Sequence, residues 1–580
     1  MIFNKDLIKE ILQYPRPDQR RIHEIIDSGW EFKFIHSEKE VKTSSRWRPV
    51  KVPFPIESKA SGINERFKGE SMVYRTRFNL PQWARDGNIR LNLGAIDYYS
   101  RIAIDGKTIG EHRGGYTPWY IDLHHLSDSA SHQIEIYVED PLSRAQLRGK
   151  QTFIKRNIFV HYTPISGIWQ DVWIEPLCFP HIEQWRFFPS INGGSLEIRL
   201  RGEASKIKIH LEGKEISAQL FSGAHGKDQM SMWTAEIEPN KLAPWSPDDP
   251  QLHPISIMTF DEKGNMGDKI DSQIGLRYVE RRGGRLFLNG SPLYQRLVLN
   301  QGYYPEGHYR PIDKIGYLHD CELIKEAGFN GMRIHQKIED PALLFCLDTI
   351  GLLAWEEMPS SLSLTNKGRN NFCKELYEVI SRDFNHPSII AWVPFNESWG
   401  MYDMLFKRSR RNELRHWTAL IHELDPTRLV VDNSGFHHLG GDILDQHHYL
   451  PARDASKGLY KRLVSRQFNS FSLIKFILIF SKWGEVFPQP ILMDKDTIDC
   501  GQPLMISEYG GFGFYKSKED SKQKLQELIS AYTADIRAEK SIIGFCYTQF
   551  TDVEQEKNGL FTFDRKPKFS IREMAKIFKA

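Results

Sequence analysis

The stretch from 386 to 400, HPSIIAWVPFNESWG, decides the fold. Ile389–Phe395 is a short, continuous apolar run, and it stops abruptly at Asn396-Glu397. A run of that kind reads as a strand covered on both faces, as in parallel sheets packed against helices. The same form recurs on either side. RLVLNQ (296–301), NGMRIH (330–335) and LLAWEEM (352–358) precede it; LVVDNS (429–434), DILDQHHY (442–449), LMISEYG (504–510) and GFCYTQF (544–550) follow. Segments with helical character around Lys314–Ala327, Pro341–Ile350, Phe372–Phe384, Arg411–Leu424 and Ser521–Glu539 fill gaps between them. Eight such strands in about 300 residues have the count and length of a (β/α)8 TIM barrel, assigned to residues 276–580.

Upstream the pattern is different. Through residue 180, short runs such as MVYRTRFNL (72–80), IRLNLGA (89–95), HQIEIYVED (132–140) and QDVWIEP (170–176) alternate or carry β-branched and aromatic residues, and Asp105-Gly106 marks a hairpin. This predicts a jelly-roll β-sandwich over 1–180. Residues 181–275 alternate in the same way at SLEIRLRG (195–202), SKIKIHLEG (205–213) and MWTAEIEP (232–239), with a Pro-rich crossing at LAPWSPDDPQLH (242–253). Their length and turn spacing suit an immunoglobulin-like β-sandwich.

Composition narrows the function. The 580 residues are 40% hydrophobic and 26% charged, which excludes a disordered or fibrous chain. Lys+Arg number 77 against 74 Asp+Glu, a balance that offers no footprint for nucleic acid or for polybasic membrane docking. The six cysteines form no CxxC pair, so neither a disulfide framework nor a zinc site is indicated. The N-terminus has no apolar signal segment, which makes a cytoplasmic protein the expectation. The apolar run FSLIKFILIF (471–480) is too short to span a bilayer; it reads as a buried segment or an exposed patch that makes a homo-oligomer plausible. The stretch 451–499 reads as a long loop, a lid or an oligomer contact.

In a TIM barrel the chemistry sits at the C-terminal ends of the strands. Here those ends read Asn300-Gln301, Arg333 and His335, Glu356-Glu357, Asn396-Glu397, Asp432-Asn433, His447-His448-Tyr449, Glu508-Tyr509 and Thr548-Gln549. Two carboxylates stand out. Glu397 ends strand four and Glu508 ends strand seven, nearly across the mouth from each other. Paired carboxyls about 5–5.5 Å apart define a retaining glycosidase, while about 6.5–9.5 Å leaves room for water and inverts. In a partly dry pocket the two do not ionise equally, so one is expected to stay protonated at neutral pH. Trp399, just past Glu397, is a candidate rim platform. Trp399, Tyr449, Tyr509 and Tyr547 fall by position around the carboxylates. Of the adjacent histidines 447 and 448, alternation sends one to the core side and one to the rim; a metal-binding role is not expected.

The chain resembles glycoside hydrolase family 2, which holds β-galactosidases, β-glucuronidases and β-mannosidases. The likeness runs through YPRPDQRR (14–21), SGWEFKF (28–34), AIDYYSRIAIDGKTIGEHRGGYTPWYIDL (95–123) and SGIWQDVWIEP (166–176). It continues through FLNGSPLYQRLVLNQ (287–301), FNGMRIHQ (329–336), HPSIIAWVPFNESWG and PLMISEYGG (503–511). The resemblance implies Glu508 as nucleophile, Glu397 as general acid/base, and Asn396 as a ligand of the sugar 2-hydroxyl. It also implies His335 as a sugar-binding residue, Arg333 beneath the nucleophile and Tyr449 beside it. Glu357, Trp399, His448 and Gln549, at strand ends or just past one, join them as candidate substrate contacts. No cofactor and no metal is implied, and the expected partner is a carbohydrate.

The sequence also departs from the family pattern. Glu556-Lys557-Asn558-Gly559 stands where glucuronidases carry Asn-x-Lys-Gly, Tyr547 stands where many members have tryptophan, and HYTP (161–164) lacks an aspartate that enters the pocket in several members. Glu556 is expected to repel a uronic acid, so a neutral β-linked sugar is favoured, galactoside first. β-Mannoside, β-glucoside, α-L-arabinoside and β-glucuronide remain alternatives, as does an inactive carbohydrate-binding protein.

Overall fold

The computed structural model describes residues 5–35, 46–66, 71–127, 131–154, 156–191, 193–225, 229–238, 241–449, 453–466, 501–512 and 522–579. The apolar run 471–480 lies outside them. The N-terminal jelly roll pairs a six-stranded antiparallel sheet with a four-stranded one. In the first, His132–Glu139 lies between Ser71–Phe78 and Tyr99–Ile104. In the second, Ile89–Leu93 lies between Trp119–Leu123 and Val172–Pro176. Alternate residues of these strands, including Tyr74, Leu91, Ile136 and Ile174, fill one apolar core. This is what the period-2 patterning requires of a sheet with one face buried.

The second sandwich stacks a four-stranded sheet on a five-stranded one around Trp185, Phe187, Ile198, Trp233 and Ile257. Its edge strand comes from far upstream: Gln19–Arg20 pairs antiparallel with Met266–Ile274, so the chain visits this sheet before it builds the jelly roll. Preceding that strand, a helix at Lys5–Gln13 sends Ile11 into the core on the outside of the barrel. Trp245, from the Pro-rich crossing, donates its indole N–H to the carbonyl of Asp348 at 2.8 Å and packs with Leu297, Trp355 and Ile390 inside the barrel.

The barrel strands are β1 (Gln295–Asn300), β2 (Gly331–Ile334), β3 (Leu353–Glu357), β4 (Ile389–Val393), β5 (Leu429–Val430), β6 (Leu444–His448), β7 (Leu504–Gly510) and β8 (Ile542–Thr548). They form one parallel eight-stranded sheet whose edges are β5 and β6. Side chains join those edges. Asp442 accepts from the backbone N–H of Val430 at 2.8 Å, and His438 lies between Asp432 (2.7 Å) and Asp445 (3.0 Å). No helix separates β5 from β6.

The predicted helices lie close to where the sequence puts them; helices at Lys5–Gln13 and Ile571–Lys579 are additional, and two further differences occur within the barrel. The helix predicted around Phe372 starts earlier, at Asn366, capped by the Thr365 hydroxyl on the N–H of Gly368; its first turns, NKGRNN, are polar and hide the helical period. Part of the stretch expected to be loop, Arg453–Val464, is helix. No described helix is long and apolar enough to cross a membrane.

Candidate active site

Arg333 is the hub of the barrel mouth. It rises from β2, fully buried, and reaches three strands. Its Nε donates to Oε2 of Glu357 at 2.8 Å, Nη1 to Oε1 of Glu508 at 2.7 Å, and Nη2 to Oδ1 of Asn396 at 2.7 Å. Burial works against its charge, but Glu357 and Glu508 outweigh that and hold the guanidinium above its usual range. A planar fork with donors on three separate nitrogens suits this task; an ammonium donates from a single atom and could not reach acceptors spread around that plane.

Glu508 ends the apolar part of β7 and takes a second donor, the hydroxyl of Tyr449, which also reaches Oγ1 of Thr548 at 3.1 Å. Glu397 sits in the tight turn after β4 with φ +50°, and Ser398 beside it has φ +59°. Left-handed backbone at two non-glycine residues is strained, and the surroundings hold it. The carbonyl of Ser434 accepts from the N–H of Glu397 (3.0 Å), and Oδ1 of Asn433 accepts from that of Ser398 (2.8 Å).

His447 stands between the two glutamates. Its Nδ1 is 2.7 Å from Oε1 of Glu397, and its Nε2 is 3.3 Å from Oε1 of Glu508. One ligand atom from each of the three residues lies within 4.8 Å of the others. Burial pushes the Glu397 carboxyl up, but the bond and charge of His447, followed by Lys150 and Arg333, carry it below the ordinary carboxylate range. This runs against the expectation for an acid/base carboxyl, and its physical source includes the bond from His447 and the ammonium of Lys150, which the sequence did not reveal.

His335 places Nδ1 3.3 Å from Oε2 of Glu357. Burial above all, then the charges of Lys150, Arg333 and His447, lower its pKa far enough to keep the ring neutral. Glu357 itself lies beneath Arg333 and His335, where burial raises its pKa against the pull of Arg333. Its neighbour Glu356 points the other way, toward Asp383 and Arg382 behind the strand.

Several expected contacts fall elsewhere. His448 faces out of the barrel: Nδ1 is 2.6 Å from the Tyr460 hydroxyl, and the ring packs on Tyr460 and Tyr532. Alternation along β6 turns Asp445, His447 and Tyr449 inward, so the inward histidine is 447. Tyr509 and Tyr547 also leave the mouth; their rings meet each other and Phe545 or Phe578 in the core. Gln549 is buried and accepts from Gln301 Nε2 at 2.8 Å. The Glu556 carboxylate is buried too, engaged by the Tyr162 hydroxyl and by Asn558 Nδ2 at 3.0 Å.

The jelly roll completes the rim. The His161 ring stacks on Trp399 at 5.1 Å, and Nζ of Lys150 lies 4.9 Å from the centroid of the same indole. Neither residue stands out in the sequence, because nothing local ties them to a strand of the barrel.

A family model for the TIM barrel domain of the glycosyl hydrolases family 2 matches residues 279–580, and one for a glycosyl hydrolase 2 galactose-binding domain-like region matches residues 56–169. The first match spans more than half of the chain, which belongs to glycoside hydrolase family 2. A putative beta-glucuronidase of Formosa agariphila is 24% identical over 437 residues, 70% of this chain and 50% of that protein. A beta-galactosidase of Thermoanaerobacter pseudethanolicus is 26% identical over 355 residues, 59% of this chain and 46% of that one. The matched parts thus make up about half of each of these relatives. The crystal structure of a GH2 beta-galacturonidase from Eisenbergiella tayi, bound to galacturonate, shares the fold with a TM-score of 0.75 at 20% identity, over 98% of this chain and 99% of that one.

Proposed function

We propose that the chain is a retaining β-glycosidase in which Glu508 is the nucleophile and Glu397 the general acid/base. The observation that carries this is the pair itself: an oxygen of each carboxylate lies within 4.8 Å of a common histidine and of the other, at the ends of β4 and β7. That spacing suits double displacement and is tight for an intervening water. Glu508 attacks the anomeric carbon as the C–O bond breaks, and Glu397 gives its proton to the departing oxygen. Glu397 then takes a proton from water, which displaces Glu508 and restores the free enzyme. Arg333 and Tyr449 keep the Glu508 carboxylate oriented. Asn396, its oxygen occupied by Arg333, has its amide hydrogens free for the sugar 2-hydroxyl. Neutral His335, donating to Glu357, offers Nε2 to a sugar hydroxyl.

The galactoside expectation rested in part on Glu556 facing and repelling a uronic acid. With that carboxylate held by Tyr162 and Asn558, the objection to an acidic sugar lapses. Hydrolysis of nitrophenyl β-glycosides tests the class. A 2-deoxy-2-fluoro glycoside with a good leaving group should leave one sugar esterified to Glu508, visible by peptide mass, and Glu508→Gln should abolish both label and turnover. A label on another residue, or full activity in that variant, refutes the assignment.

A further inference from the structure

Lys150 belongs to the sandwich, yet its side chain ends in the barrel mouth. Its backbone is clamped from both sides. The carbonyl of Ser360 accepts from the N–H groups of Arg148 (3.2 Å) and Gly149 (3.0 Å), and the Lys150 carbonyl accepts from the N–H of Tyr162 at 2.8 Å. Gly149 has φ +53°, and a Cβ there would lie 2.0 Å from the carbonyl oxygen of Gln336, so the chain passes the barrel rim with no room for a side chain. Lys150 is thereby delivered in one orientation, and it is 8% exposed.

Its ammonium group has no hydrogen-bond or ion-pair partner among the described residues, and it stands 4.9 Å from the centroid of the Trp399 ring. The other buried lysines that serve the barrel are fully answered. Nζ of Lys337 donates to Glu339 at 2.7 Å and to the carbonyls of Gly302 and Tyr309 at 2.8 Å each, and Nζ of Lys314 to Asp171 at 2.6 Å and the carbonyl of Tyr14 at 3.1 Å. With the residue 8% exposed, little solvent reaches the side chain, and an aromatic face replaces only part of the hydration the ammonium gives up there. The missing acceptor is then something that enters the cleft. The site lies close to Glu397, because the ammonium stands over the ring of Trp399, two residues further along the same turn.

We infer that Lys150 is a specificity-determining residue that binds an anionic substituent on the substrate sugar, a carboxylate or a sulfate ester, through a charge-assisted hydrogen bond over the face of Trp399. An anion satisfies the ammonium more fully than a hydroxyl does, because it adds the Coulomb attraction of a full opposite charge to a bond whose donor is already ionised. Recognition by a cation from the N-terminal sandwich also fits a cleft in which the loop after β8 presents no free carboxylate at Glu556. The inference rests on the retaining-glycosidase reading for its reaction but not for its ligand.

The test has two arms. In turnover, nitrophenyl β-glucuronide, β-galacturonide and 6-sulfo-β-galactoside are compared with the neutral β-galactoside and β-glucoside. At least one acidic substrate should be preferred, the uronides and the sulfated sugar separating carboxylate from sulfate. Lys150→Met should lower kcat/KM for that substrate roughly 10- to 100-fold more than for the neutral ones, mainly through KM, while Lys150→Arg restores part of the loss. In binding, the inactive Glu508→Gln protein should be stabilised thermally by free glucuronate, galacturonate or galactose 6-sulfate, and not by galactose, and Lys150→Met should remove that shift. Preference for the neutral galactoside, or an equal loss on acidic and neutral substrates, overturns the assignment. If no glycoside is turned over but the Lys150-dependent binding persists, the hydrolase reading fails and the anion site stands.

Discussion

The Nδ1 atom of His447 lies 2.7 Å from Oε1 of Glu397, and the same ring turns its Nε2 toward Glu508 and toward Arg333, 3.2 Å away. One imidazole thus touches the carboxyl proposed to donate the proton and the one proposed to attack. Its bond and charge outweigh burial and hold Glu397 below the usual carboxylate range, so removing the ring should let that pKa rise. A general acid with a higher pKa keeps its proton to higher pH. In His447→Asn the basic limb of the kcat/KM profile therefore moves upward in pH, while kcat falls as the geometry loosens. Gly435→Ala should move the limb in the same direction, because a Cβ there would lie 2.4 Å from three atoms of the His447 ring. An unshifted basic limb in both variants would show that His447 does not govern Glu397.

Arg333 carries a structural burden as well as a chemical one. It answers Glu357 and Glu508 from a fully buried position, and removing one partner of a buried pair leaves an uncompensated charge. Arg333→Met should lower folding stability by about 3–5 kcal/mol and abolish turnover. Arg333→Lys should recover part of the stability and little of the activity, since an ammonium cannot hold Glu357, Glu508 and Asn396 in one plane. Thermal unfolding and initial rates on the same preparations separate the two effects.

How much of this was legible in the sequence depends on the distance over which each feature is encoded. The barrel was readable because its strands are apolar on both faces, and Glu397 and Glu508 were readable because each follows such a run. The facing of neighbours was harder. Glu356 and Glu357, like His447 and His448, differ in direction by the strand's alternation, and a sequence does not announce the phase of that alternation where both faces of a strand are covered. The choice of His448 over His447 failed there. Lys150 and His161 were not readable at all: they lie about 240–250 positions before Trp399, and the packing of sandwich on barrel brings them to it. Glu556 failed for the same reason, since its partner Tyr162 comes from the sandwich.

The division of labour between the carboxylates predicts opposite products in rescue by azide. In Glu397→Ala the covalent sugar on Glu508 forms from a substrate with a good leaving group but is hydrolysed slowly for want of a general base. Azide, which needs no base, should attack it and give the β-glycosyl azide, raising kcat by about tenfold or more. In Glu508→Gly the azide attacks the substrate directly from the vacated side and should give the α-glycosyl azide. The anomeric proton coupling of each product, read by NMR, identifies the anomer; the reverse pairing would exchange the roles of the two residues.

Asp171 ties the jelly roll to the barrel that it completes. Its Oδ1 accepts from Nη1 of Arg310 at 3.2 Å and its Oδ2 from Nζ of Lys314 at 2.6 Å, all three residues being buried. Burial alone would raise this carboxyl, but Lys314 and then Arg310 outweigh it and lower its pKa to about 2. A folded-state pKa below the unfolded value of about 3.9 means that the group contributes its full stability above pH 4 and loses it as the pH falls toward 2. The contribution is about 2 kcal/mol by linkage. Asp171→Asn should therefore unfold at a lower temperature than the parent at pH 6, and the gap between their midpoints should narrow steadily between pH 4 and pH 2. Arg148→Met, which loses a contact with Asp140 inside the jelly roll rather than across the boundary, provides the control: Asp140 accepts from it at 2.9 Å. If the junction is what Asp171 secures, its variant should also loosen the placement of Lys150 and Trp399, and indole fluorescence should shift with the same midpoint as the loss of turnover. A gap independent of pH between 4 and 2 would remove the ion pair as the cause.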